Sequence, residues 1–283
     1  MKVMQYLCVV SMLMIPMAET ANATVVYLVD NSGIASSQII SVDMTDGTET
    51  VVASSTPAKM IDIAINSKSI YTIGGGSSTT RNLYRYDFAG QLLATSDLGF
   101  GTTPYTNGLE AESDTSLLMI ANNSKNIWRV NLDAMGNYSG KTDLGSTGIY
   151  SVGDIAIAPN GTIYMVGSPT ISDTLCNLYT INLSGATPAA TLVGTIKLGN
   201  NNLPEMFGIA FGADGTLYGG NGKSATGQYL YAIDLQTAAA TLVYSLTEAK
   251  GILGLASHPI PEPATLLLLA AGLAGFRFKR KIG

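Results

Sequence analysis

A short strand-like motif closing on Asp or Asn recurs five times along this chain, and its period restricts the fold more than any other feature. The copies are Ile39-Ile40-Ser41-Val42-Asp43, Leu83-Tyr84-Arg85-Tyr86-Asp87, Ile127-Trp128-Arg129-Val130-Asn131, Leu178-Tyr179-Thr180-Ile181-Asn182 and Leu230-Tyr231-Ala232-Ile233-Asp234. Their closing residues stand 44, 44, 51 and 52 positions apart. A second motif keeps phase with the first: Val26-Tyr27, Ile70-Tyr71, Leu118-Met119, Ile163-Tyr164 and Leu217-Tyr218. A third precedes the second, at Asp62-Ile63-Ala64-Ile65, Gly108-Leu109-Glu110-Ala111, Asp154-Ile155-Ala156-Ile157 and Gly208-Ile209-Ala210-Phe211. The N-terminal repeat lacks this third motif, while a surplus copy, Gly254-Leu255-Ala256, ends the array. A period of about 45–50 residues with about four strands per repeat predicts an all-β propeller. The missing and surplus motifs complement each other. Residues 251–257 are therefore expected to complete the blade begun by residues 24–53, giving a five-bladed ring whose closing blade is shared by the N- and C-terminal strands.

Local patterning agrees with strands. Asp154-Ile155-Ala156-Ile157-Ala158 alternates large apolar with small or acidic residues, the period of a half-buried strand. Asn160-Gly161 and Asp214-Gly215 read as hairpin turns with positive φ at both central residues. A fourth strand is weaker, as at Leu92-Leu93-Ala94-Thr95, Thr191-Leu192-Val193-Gly194 and Thr241-Leu242-Val243-Tyr244, which suits an outer edge. A β-sandwich is the rival fold, but it supplies no reason for phased copies. The in-phase aromatics (Tyr71, Tyr84, Trp128, Tyr164, Tyr179, Tyr218 and Tyr231 among them) are expected to pack blade against blade. The segments 74–81, 101–106 and 168–173 vary between repeats and are the expected binding loops.

Both ends of the chain read as addresses, not as parts of the folded body. Lys2 followed by an apolar run from Val3 to Met17 and then Ala21-Asn22-Ala23 has the form of a signal peptide, 1–23, with Ala21 and Ala23 as the signal peptidase site. Cys8 stands too early for a lipoprotein. At the other end, a linker, 258–263, contains Pro261-Glu262-Pro263. A segment of 264–283 follows, with an apolar run from Ala264 to Phe276 and a basic tail of Arg277, Lys279, Arg280 and Lys281. Thirteen residues as a helix rise about 20 Å against about 30 Å of hydrocarbon, so the segment is expected to be a short transmembrane helix with its basic end cytoplasmic. An ordinary single-span anchor is the bland alternative.

This tail resembles the PEP-CTERM sorting signal of Gram-negative bacteria that make exopolysaccharide. The resemblance covers the tail alone. It implies transient anchoring in the inner membrane and cutting near Pro261-Glu262-Pro263 by an exosortase. The partners it implies are therefore exosortase, signal peptidase and the membrane, with the cell surface or extracellular matrix as destination.

Composition limits what the body, 24–257, does. Lys2 and four tail cations fall outside it, as do Glu19 and Glu262, so residues 24–260 keep 10 basic and 18 acidic side chains. A net charge of −8 with no basic patch argues against nucleic acid. Cys176 is the only cysteine in the body, so no disulfide framework is available, and His258 is the only histidine. Triad catalysis and histidine-based zinc sites lack their residues. Gly219-Gly220-Asn221-Gly222-Lys223-Ser224 lacks the first glycine of a phosphate loop and reads as a blade loop.

One constellation remains. Asp62 and Asp154 hold the same repeat position, and Glu110 lies two places further along its strand. Lining an open channel, they would either bind a hard cation such as Ca²⁺ or form a solvated acidic pore. The expected function is an exported, exosortase-sorted envelope or matrix protein whose non-enzymatic propeller binds a glycan or protein partner, with no cofactor. The alternative is a secreted propeller enzyme, a hydrolase, lactonase or lyase on sugars, using the three carboxylates and a divalent cation.

Overall fold

The computed structural model describes residues 24–30, 36–74, 81–100, 106–171, 175–222 and 227–258. The proposed signal peptide, the Pro-Glu-Pro motif, the apolar tail segment and both flanking helices lie outside the described residues. Among the described residues no helix is long and apolar enough to cross a membrane.

The first blade begins with β1 (Val25–Asp30), β2 (Gln38–Asp43) and β3 (Glu49–Ala53). The second is β4 (Met60–Ile65), β5 (Ile70–Gly74), β6 (Asn82–Tyr86) and β7 (Leu92–Asp97). The third is β8 (Thr106–Ser113), β9 (Ser116–Ala121), β10 (Asn126–Leu132) and β11 (Tyr138–Ser146). The fourth is β12 (Tyr150–Ile157), β13 (Ile163–Ser168), β14 (Asn177–Asn182) and β15 (Ala189–Thr195). A small hairpin, β16 (Lys197–Leu198) and β17 (Asn201–Asn202), then flanks the fifth blade of β18 (Met206–Phe211), β19 (Leu217–Asn221), β20 (Gln228–Ile233) and β21 (Ala239–Leu246). Finally β22 (Ile252–Ser257) pairs antiparallel with β1, with Tyr27 opposite Ala256 and Leu28 opposite Leu255. The first sheet is thus ordered β22-β1-β2-β3, so the chain ends share the closing blade as the repeat order predicts.

Each gap between neighbouring blades holds its own apolar core, and the five cores follow one another around the ring. Tyr71 and Trp128 fill the gap between the second and third blades, for example, and Tyr164 and Tyr231 that between the fourth and fifth. The repeated aromatics are therefore packing residues, as expected. Tyr27 packs partly against the core between the first and second blades and also meets His258, as described below.

The closing Asp or Asn of each repeat also acquires a role. Asp43, Asp87, Asn182 and Asp234 accept the backbone N–H two residues on (2.8–3.0 Å) and so start the turn to the outer strand. In the third repeat the strand runs longer and Asp133 does this in place of Asn131.

Two local expectations are corrected. The turns at Pro159 and Ala213 have Gly161 at φ 83° and Gly215 at φ 79°, while Asn160 and Asp214 keep negative φ. The Gly161 N–H reaches Ala158 O and the Ala158 N–H reaches Thr162 O, both at 2.8 Å. These are wider turns in which glycine alone is left-handed, not two-residue loops. Gly219, Gly220 and Asn221 lie in β19, so the glycine-rich run begins as a buried strand and not as a loop.

Candidate functional site

The inner strands β4, β8, β12, β18 and β22 stand around the axis, each with one hydrogen-bonding edge turned away from its own sheet. Five equivalent residues follow the repeat position of Asp62, Gly108, Asp154, Gly208 and Gly254: Ile63, Leu109, Ile155, Ile209 and Leu255. Their backbone N–H groups point inward, where no strand partner exists. Two carboxyl groups serve all five. Asp62 accepts from Ile63 and from Leu109 of the next blade. Asp154 accepts from Ile155 at 2.6 Å, from Ile209 at 3.0 Å and, across the ring, from Leu255 at 3.5 Å.

The glycines at the other three positions allow the inner strands to approach this closely, Gly108 against the Ile120 side chain, Gly208 against the backbone of β22 and Gly254 against Asp62. A Cβ on Gly254 would overlap the Asp62 carboxyl oxygen outright, and one on Gly208 would lie 2.7 Å from Leu255 N. We predict that Gly254→Ala prevents clean ring closure. The purified variant should lose several kcal/mol in denaturant unfolding, and a variant as stable as the parent would refute this packing.

Asp62 and Asp154 are fully buried. Burial, then the neighbouring Asp154 charge, pushes Asp62 well above the usual carboxylate range. Burial raises Asp154 to about 7, opposed by its hydrogen bonds. Two adjacent buried carboxyls cannot both ionise cheaply, so the pair retains a proton at neutral pH. Glu110 lies further along the axis and keeps some exposure; its Oε1 accepts from Ile157 of the next blade at 3.2 Å. Burial raises it to about 8.

The axis at this level is therefore plugged, and the expectation of an open, solvated acidic channel is corrected. The structure brings Asp62 and Asp154 together and places Glu110 nearby. Asp62 Oδ2, both Asp154 oxygens and Glu110 Oε1 take backbone donors, the buried Asp62 Oδ1 has no hydrogen-bond partner, and among the described residues no three Asp, Glu, His or Cys side chains are grouped to hold a metal ion.

Above the plug the axis opens into a pocket of about 320 Å³ that the motif reading did not find. Each inner strand breaks register with its neighbour just before the plug, in the manner of a β-bulge. The skipped residues Ile61, Asn107, Phe207 and Leu253, with Val152 and Gly153 in the fourth blade, line the mouth. Bulges re-aim side chains at barrel and propeller rims. Here Ile61, Asn107, Phe207 and Leu253 are each partly exposed between two buried neighbours. A recurring signal existed in the sequence: a residue of the inner-strand start, one free residue, then Gly or Asp.

At the opposite end of the axis β22 delivers the chain to His258. Its ring lies 4.7 Å from Phe88 and its Nε2 is 3.3 Å from the Tyr27 hydroxyl. Burial lowers the His258 pKa. Cys176 is buried, and its Sγ lies 3.3 Å from the Met206 N–H, consistent with a structural thiol.

The described body is a five-bladed β-propeller arrangement with its axis closed by carboxyls and its chain exit opposite the open mouth. Residues 259–281 match the PEP-CTERM protein-sorting motif. The motif implies a chain that is exported, anchored in the membrane before processing, and handled by an exosortase. Comparison with curated protein sequences finds no match. Among solved structures, a chain of a nidogen/laminin complex is similar at TM-score 0.51 and 13% identity, over 83% of this chain and 81% of that one. A putative 6-phosphogluconolactonase from Bacteroides fragilis NCTC 9343 aligns at TM-score 0.47 and 12% identity, over 84% and 98% of the two chains. A luciferin-regenerating enzyme aligns at TM-score 0.44 and 13% identity, over 80% and 78%. The first of these supports the fold alone.

Proposed function

We propose that this chain is a binding module displayed at the cell envelope or in the extracellular polysaccharide matrix, delivered by its sorting tail. The observation that carries the reading is the division of the axis. The conspicuous acids are consumed in holding the ring together, while the open mouth presents a pocket with no acid–base pair among its described lining residues. A sugar-acting hydrolase, lactonase or lyase would need Asp62, Glu110 or Asp154 to face substrate. Asp62 Oδ2, both Asp154 oxygens and Glu110 Oε1 take backbone N–H groups instead, and Asp62 Oδ1 is buried.

Orientation supports display. Inner strands run from the mouth to the far end, and β22 leaves the body at that far end through His258. From His258 to Ala264 the chain spans at most about 20 Å. While the tail is in the membrane the far face is held close to the bilayer, and the mouth faces outward.

The mass of the protein recovered from its native host tests the sorting half of this reading. We expect a C-terminus near Pro261-Glu262-Pro263, and a longer species retaining the tail when the exosortase is deleted. An intact tail in both strains would make the chain a plain membrane-anchored propeller and remove the argument for a matrix destination.

A further inference from the structure

We propose that the axis mouth is a subsite for one neutral, hydroxylated ring presented end-on, the terminal residue of an uncharged glycan. The inference rests on the binding-module reading above and names its ligand. Its first support is construction. Five successive register breaks open toward one pocket; four turn the same strand position into it, Ile61, Asn107, Phe207 and Leu253, and the longer break in the fourth blade adds Val152, so side chains that differ from blade to blade meet there. A position structurally fixed but chemically varied around a ring is how a repeat scaffold builds a selective site. The floor is the carboxyl plug, so the pocket is blind and takes the end of a chain, not its middle. Its volume of about 320 Å³ lies at the lower end for small-molecule sites.

The chemistry then narrows the occupant. Ile61, Val152, Phe207 and Leu253 offer apolar walls suited to the C–H face of a saturated ring. Asn107 and Asn122 supply amides at the same pocket. The Asn107 Oδ1 is buried and has no hydrogen-bond partner. That oxygen has no solvent-accessible surface, so hydrogen bonds to a ligand hydroxyl come from the exposed part of Asn107 and from Asn122. No charged side chain is among the described lining residues. An anionic sugar would meet no cation among the described lining residues, and it would approach a body carrying a net charge of −8. These facts favour a neutral glycan over an acidic one and over a protein partner.

The test uses the full-length chain in detergent and saturation-transfer NMR with calorimetric titration. The probes are maltotriose, cellotriose and galactobiose as neutral glycans, trigalacturonic acid as an anionic one, and an uncharged leucine-rich tripeptide. Binding of at least one neutral probe is expected, weakened about tenfold or more in both Asn107→Ala and Phe207→Ala with melting temperatures near the parent's. Ser184→Ala, beyond the far end of β14, should leave it unchanged. No neutral binding at millimolar concentration, binding indifferent to both mouth substitutions, or preference for the anionic or peptide probe would each overturn the proposal. Because tail processing is read separately by mass, a failure here leaves the sorting assignment standing.

Discussion

Replacing Asp154 by alanine is expected to destabilise the propeller by at least about 3 kcal/mol, the largest loss we predict for a single side-chain truncation. The carboxyl receives three backbone N–H groups from three different blades: Ile155, Ile209 and Leu255. Each would be left buried without an acceptor, at about 1–3 kcal/mol apiece. For a domain of this size the melting temperature should fall by roughly 10 °C. Asp154→Asn keeps the volume and one acceptor oxygen but introduces an N–H₂ group facing other donors, so an intermediate loss is expected. Asp143→Ala serves as the comparison, since Asp143 is an exposed acid bonded to Asn126 and to the Gly145 N–H at the surface; its loss should stay below about 1 kcal/mol. Equal, small effects in the two alanine variants would mean that the ring does not depend on the carboxyl plug.

That dependence explains why the fold was legible in the sequence and the site was only half so. Blade number and closure followed from phased motifs, because each repeat must place the same apolar residues into the gaps between blades. The surplus motif at Gly254 had to find the incomplete first blade. Asp62 and Asp154 stood out as an acidic pair at one repeat position, yet the glycines at 108, 208 and 254 read as gaps in the constellation. They are its complement: two carboxyls serve five N–H groups in a ring drawn tight by three residues without side chains, of which Gly254 leaves the space that the Asp62 carboxyl fills. Motif alignment compares positions one repeat at a time and does not reveal that a side chain in one blade serves the backbone of another.

The mouth was illegible for a different reason. A bulge inserts one residue without disturbing the apolar pattern on either side, so Ile61 and Phe207 read as ordinary strand residues. Only the pairing register, with Met60 opposite Gly74 and Asp62 opposite Ile73, shows that Ile61 is skipped. The same holds for the capping residue of the third repeat. Asn131 occupies the expected place, but the longer β10 moves the turn two residues along to Asp133.

Stability should fall as pH rises from about 5 to about 9, the reverse of a protein held by surface carboxylate pairs. The folded Asp154 and Glu110 are raised to about 7 and about 8, and burial raises Asp62 well above its ordinary value too, whereas in the unfolded chain they return to ordinary carboxyl values. Between those limits the folded state binds more protons than the unfolded one, so the slope of unfolding free energy with pH is negative. The contribution is fully present below the unfolded values near 4 and is lost as pH passes through the folded ones. At the acid end, Asp46, Asp114, Asp133 and Asp234 are lowered by hydrogen bonds at turns and oppose further gain. Maximal stability therefore belongs in the mildly acidic range, with a loss of several kcal/mol by pH 9. Denaturant unfolding across this range measures it. Asp62→Asn removes the shared proton and should flatten the curve, lowering stability at pH 5 more than at pH 9. A parent curve that rises toward pH 9 would show that the two carboxyls ionise freely and that the axis is not closed as described.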